Sequence, residues 1–189
     1  MAPPRMRQED TVLLVVDVQE RLMPTIAAAP RVEANCAILA RAAGMLGIPV
    51  ICTEQYVRGL GHTAPPVREA LPAGTAVIEK TRFSAMTDEV RVLLRSHARP
   101  NVLVCGVEAH VCVQQSVLDL CAGGWNAFLA TDAISAGQAD QVAPAFRRME
   151  RAGAVPSGTL GAMYELLGDA AHPKFRDLLQ LAKLVPKSD

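Results

Sequence analysis

The sequence predicts an α/β fold, a three-layer sandwich in which a six-stranded, mainly parallel sheet lies between helices. Three observations carry this. Short apolar runs rich in Val, Ile and Leu alternate with longer segments of helical periodicity along nearly the whole chain. Parallel strands need long connections, and a helix between each pair of runs supplies them as right-handed crossovers. The first run, TVLLVV at Thr11–Val16, is continuous rather than alternating, the pattern of a strand covered on both faces.

Each element follows from its residues. Met1–Asp10 (MAPPRMRQED) reads as a flexible lead-in; its prolines and charges leave no apolar core for a signal peptide. Residues 11–189 read as one domain, with neither an internal repeat nor an interdomain linker. Pro30–Leu46 has helical spacing and is closed by Gly47. Val50–Cys52 is a short strand, followed by a loop over Glu54–Pro66 with two glycines and two prolines near its end. Ala76–Glu79 is the third strand. Thr87–His97 is a helix with Thr87 as N-cap and Val90, Leu93 and Leu94 inward. Val102–Cys105 is a strand that breaks at Gly106. The polar turn Val107–His110 leads into a helix that starts near Cys112 and stops at Gly123–Gly124. Ala127–Ala130 is a strand, Ala139–Ala152 a helix closed by Gly153, and Ala154–Val155 an edge strand. Thr159–Leu167 is a helix stopped by Gly168. The amphipathic segment Phe175–Leu184 packs either on the domain or on a partner subunit.

Composition narrows the function. At 189 residues the chain is long enough to bury a full core. Lys+Arg 19 balances Asp+Glu 19, so no basic stripe or acidic tail calls for nucleic acid or an anionic membrane surface. The low self-repulsion permits a homo-oligomer. No apolar run approaches the ~20 residues that span a bilayer. The five cysteines, Cys36, Cys52, Cys105, Cys112 and Cys121, are odd in number and mostly set in apolar patterns. They read as reduced thiols of a cytoplasmic protein rather than a disulfide framework.

In open parallel sheets, sites form outside the carboxyl ends of the strands. The first strand delivers Asp17 and Gln19 there, and the second delivers Thr53, Glu54, Gln55 and Tyr56. The third delivers Glu79 and Lys80; the fourth delivers Glu108, His110 and Cys112. Taken singly, Asp17 is a plausible turn cap, Lys80 a solvated loop lysine and Cys112 a small buried apolar residue. Taken together, an acid, an amine and a thiol converge at one sheet edge, the base, cation and nucleophile of covalent catalysis. A strand–turn–helix also exposes Cys112 to unpaired N–H groups and the positive end of a helix dipole, which favours thiolate.

These residues lie in the segments VVDVQ (Val15–Gln19), TEQY (Thr53–Tyr56), GLGHT (Gly59–Thr63), EKTRFSAM (Glu79–Met86) and CGVEAHVCVQQSVLDL (Cys105–Leu120). In their order and spacing the chain resembles the isochorismatase-like cysteine hydrolases, and among them the isochorismatase domain-containing proteins. The likeness runs from about Thr11 to the His172 region. It implies a parallel sheet of Rossmann-like order with helices on both faces. It also implies a catalytic triad at Asp17, Lys80 and Cys112 and a cis peptide at Val107–Glu108. The N–H groups of Val111 and Cys112 become the oxyanion hole, and a homo-oligomer is implied as well. Two departures matter. Nicotinamidases of this family carry an Asp-x-His metal pair after the second strand, and Ile51–Glu54 offers none, so no metal and no cofactor is expected. Isochorismatases proper lack the cysteine, whose presence argues for acyl transfer rather than vinyl-ether hydrolysis.

The expected chemistry is hydrolysis of a small-molecule carbonyl substrate, an amide above all, through an acyl-thioester. Lys80 and the helix start lower the thiol pKa, and Asp17 takes the thiol proton. Gln19, Gln55, Tyr56, Phe83, Glu108 and His110 line the pocket. Two alternatives stay open: a non-catalytic binding module of the same fold, and a thiol sensor in which Cys105 partners Cys112. A dinucleotide site fails, because Gly106 and Gly123–Gly124 do not make G-x-G-x-x-G. Zinc fails because Cys105, His110 and Cys112 are not a cluster of four ligands.

Overall fold

Thr11–Val16 forms strand β1, and none of its side chains is exposed. Leu13 and Val15 enter one core while Val12, Leu14 and Val16 enter the other, the two-residue alternation of a strand covered on both faces. The computed structural model describes residues 4–187. The remaining strands are β2 (Val50–Gln55), β3 (Ala76–Lys80), β4 (Asn101–Val107), β5 (Asn126–Ser135) and β6 (Val155–Ser157). Every pairing is parallel, in the order β3-β2-β1-β4-β5-β6. This is the Rossmann order, and the chain reverses its direction of winding between β1 and β4, where sites open in such sheets.

Helices α1 (Ala29–Met45), α7 (Thr159–Leu167) and α8 (Phe175–Ala182) cover one face. Helices α4 (Asp88–His97), α5 (Gln114–Ala122) and α6 (Val142–Arg151) cover the other. Two single turns, α2 (Val57–Leu60) and α3 (Pro65–Arg68), lie in the segment after β2. Thr87 caps α4 as expected, its Oγ1 accepting the Val90 N–H at 3.2 Å.

The differences from expectation have physical causes. Strands β2, β4 and β5 run past their apolar stretches; in β2 the polar side chains that extend it, Thr53 and Gln55 among them, are buried with partners of their own. Gly106 does not break β4. It has φ 117°, and a Cβ there would sit 2.0 Å from the Val16 carbonyl oxygen, so β1 and β4 approach too closely for any side chain. The lead-in is not loose from Arg5 onward. Met6 is 1% exposed and donates its N–H to Glu165, while the Asn101 amide donates to the Arg5 carbonyl and to Asp10. Met1–Pro3 lie outside the described residues. The C-terminal segment packs on its own domain, with Leu178 and Leu181 buried in the core that α1 and α7 share.

Candidate active site

Asp17 leaves β1 with φ 52°, a left-handed conformation that aspartate tolerates better than most residues. The turn directs its carboxylate into the protein. Oδ2 lies 2.6 Å from Lys80 Nζ, and Oδ1 accepts from Thr53 Oγ1 at 2.7 Å. Both side chains of the ion pair are 0% exposed. Lys80, the last residue of β3, also donates to Gln55 Oε1 at 2.7 Å, the Phe83 carbonyl at 3.1 Å and the Arg82 carbonyl at 3.3 Å. One carboxylate and neutral oxygens thus surround the ammonium, the condition under which a buried charge is tolerated.

Cys112 lies in a wide turn, Ala109–Val113, between β4 and α5. Val113 donates its N–H to the carbonyl of Glu108, five residues back, at 3.2 Å. The peptide Val107–Glu108 is cis. Cys112 is 6% exposed. Burial pushes its thiol up to about 12; the neighbouring Asp17 charge and a hydrogen bond to Asp17 push the same way, and Lys80 opposes them. A thiol lowered by Lys80 and the helix start is therefore overturned. Lys80 acts in the expected direction, but burial and the carboxylate outweigh it, and α5 begins only at Gln114. Burial and the carboxylate thus favour the thiol over the thiolate.

The other expected site residues divide. Gln19 is fully buried and its amide is used by backbone: it accepts from the Gln55 N–H at 2.7 Å and donates to the Gln55 and Gly61 carbonyls. It is a strut, not a pocket wall. Gln55 is likewise buried, holding Lys80 through Oε1 and Thr81 through Nε2. Tyr56 and Phe83 are 57% and 54% exposed. Tyr56 borders an open groove of about 600 Å³ that it shares with Arg58, Glu79, Lys80 and Arg82. Glu108 accepts the Gly137 N–H at 2.7 Å. His110 is half-buried, with Nδ1 enclosed and unpaired. Of the expected oxyanion donors, Val111 already gives its N–H to the Glu108 carbonyl at 3.1 Å.

Cys105 cannot serve Cys112, because it belongs to the core on the opposite face of the sheet. Thr53 is the residue that sequence reasoning missed as a partner of Asp17. The signal was its place one residue beyond the run read as β2, in register with Val16. Glu54, in the stretch where a metal pair was sought, is held instead by Thr63 and His62.

The family model for the isochorismatase domain matches residues 11–159. The chain belongs to the isochorismatase family. Isochorismatase domain-containing protein 2 of Danio rerio is 36% identical over 94% of this chain and 89% of its own length. The human protein of that name is 35% identical over 92% of this chain and 83% of its own. Among solved isochorismatase-type folds, a MAR1 ribonuclease from Caenorhabditis elegans superposes with TM-score 0.92 at 35% identity, covering 98% of this chain and 100% of that one. The YcaC protein of Escherichia coli, an octameric hydrolase of unknown specificity, shares the fold with TM-score 0.83 at 22% identity, covering 98% and 100%. The isochorismatase fold of this chain is thus that of a hydrolase family.

Proposed function

We propose that the protein is a cysteine hydrolase that cleaves a C–N bond of a small carbonyl compound through an acyl-thioester. The observation that carries this is the fully buried Asp17–Lys80 pair, 2.6 Å apart, set against the Cys112 thiol. Asp17 takes the thiol proton as sulfur attacks the carbonyl carbon, so no free thiolate need persist at rest. Lys80 stabilises the negative charge that develops at the sulfur. The oxyanion is met by the Cys112 N–H and by the Val111 N–H, whose hydrogen it shares with the Glu108 carbonyl. Asp17 then gives its proton to the leaving amine. Water, activated by Asp17, cleaves the thioester and releases the acid.

Two observations favour a small substrate over a polymer, even though a relative from Caenorhabditis elegans is called a ribonuclease. Cys112 is 6% exposed, out of reach of a folded polynucleotide. The net charge is +0, so no overall positive charge draws in a phosphate backbone. Tyr56, Phe83, Glu108 and His110 border the approach; Gln19 and Gln55 support it from behind.

The test is limiting iodoacetamide with mass-spectrometric mapping, together with turnover of a small-amide panel. Cys112 is expected to react faster than Cys36 and Cys121 at pH 7.5, and Asp17→Asn to abolish the difference. The panel is expected to be turned over by the wild type and not by Cys112→Ala. Equal reactivity of the three thiols, or equal turnover by the two proteins, overturns the reading.

A further inference from the structure

Helix α5 carries more than the end of the Cys112 turn. Ser116 is fully buried, and its Oγ donates to the Cys112 carbonyl at 2.6 Å while accepting the Ala85 N–H at 2.7 Å. One turn on, Asp119 Oδ2 accepts from Ser84 Oγ at 2.7 Å and lies 3.7 Å from the Arg91 guanidinium. Residues three apart share a helix face, so both bonds reach the same segment, Ser84–Ala85. Ser84 Oγ in turn accepts the Met86 N–H at 3.1 Å, which stiffens that segment.

The segment immediately before it supplies the Arg82 and Phe83 carbonyls that hold Lys80 Nζ. A continuous path therefore runs from the Cys112 backbone through Ser116 and Asp119 to the oxygens that cradle the ammonium. β3 and β4 do not adjoin in the sheet, because β2 and β1 stand between them. The sheet ladder sets the distance from amine to sulfur only through those two intervening strands.

We infer that Ser116 and Asp119 are positioning residues, a key on α5 that locks the Ser84–Ala85 segment and so fixes Lys80 relative to the Cys112 sulfur. The key acts on the same site as the proposed thioester chemistry and rests on that reading. When it is removed, the cradle loosens and the developing thiolate loses its nearest cation. Ser116→Ala leaves the Ala85 N–H, and Ser84→Ala the Met86 N–H, without an acceptor in a dry place, so Asp119→Ala, which removes the acceptor of Ser84 Oγ and no backbone partner, is the cleaner variant.

The readout is the Cys112 alkylation rate by iodoacetamide at pH 7.5, with Cys121 as internal control and circular dichroism as the check on fold. Asp119→Ala is expected to slow Cys112 about tenfold, Ser84→Ala to slow it in the same direction, and Ser116→Thr, which keeps the hydroxyl, to react like the wild type. Lys80→Met with Asp119→Ala is expected to be no slower than Lys80→Met alone, because Asp119 acts through Lys80. Wild-type rates in folded Asp119→Ala and Ser84→Ala, or slowing that adds to that of Lys80→Met, overturn the inference. If the wild type shows no preference for Cys112 over Cys121, it is the thioester reading that fails, and the inference falls with it.

Discussion

Lys80 Nζ lies 2.6 Å from Asp17 Oδ2, with neither side chain exposed. Removing one member leaves the other charge buried and uncompensated, which costs about 3–5 kcal/mol. Lys80→Met is therefore expected to lower the urea midpoint strongly. Asp17→Asn with Lys80→Met is expected to recover most of that loss while Cys112 stays unreactive. A double variant as unstable as Lys80→Met would show that the pair is not the source of the effect.

The route of the thiol proton is readable from pH. A cysteine that must first ionise into solvent reacts about tenfold faster per pH unit until its pKa is reached. Cys112, at about 12, would follow that slope across the whole accessible range. Transfer to Asp17 predicts instead a nearly flat alkylation rate between pH 7 and 9. Asp17→Asn is expected to restore the slope, at a lower rate at pH 7.

The buried thiols predict an alkaline limit to stability. Cys52 and Cys112 are both held near 12 by burial first, against an ordinary value of 9.0. Above pH 9 the unfolded chain loses these protons while the folded chain keeps them. Stability is therefore full below about pH 9 and falls as pH rises toward 12. Melting temperature measured from pH 8 to 11 should show this decline, and Cys112→Ala should lessen it.

His62 predicts a decline of a different kind. Its pKa is raised chiefly by the hydrogen bond to Glu54, whose other oxygen holds Thr63. The contribution of a charged His62 is complete below the unfolded value near 6.5 and disappears as pH rises through the higher folded value. The protection of the Val57–Thr63 amides against hydrogen exchange, relative to the intrinsic rate at each pH, should fall over that interval in the wild type. In His62→Ala the pH step should vanish.

Gly106→Ala tests the close crossing of β1 and β4. The added Cβ would meet the Val16 carbonyl oxygen at 2.0 Å, at φ 117°. The combined strain and separation should cost roughly 3 kcal/mol or more, a fall in Tm of about 10 °C. Gly124→Ala, with φ 87° and nothing within 4 Å, should cost less.

The sequence by itself determined the alternation of strands and helices, the N-cap at Thr87 and the positions from which Asp17, Lys80 and Cys112 leave the sheet. These follow from local periodicity and from where apolar runs end, which one chain segment carries alone. Only the tertiary structure decided what each polar side chain at that edge does. Gln19 and Gln55 look alike in the sequence, both polar residues at strand ends, yet the packing of Gly61 and Lys80 against them makes struts of both. The sequence predicts a lowered thiol pKa, because Lys80 is visible in it. The burial of the thiol and the pressing of Asp17 against it are sums over segments far apart in the chain, and those sums set the direction. Ser116 and Asp119 were legible only as members of a helix, since the segment they hold comes from the far side of two intervening strands.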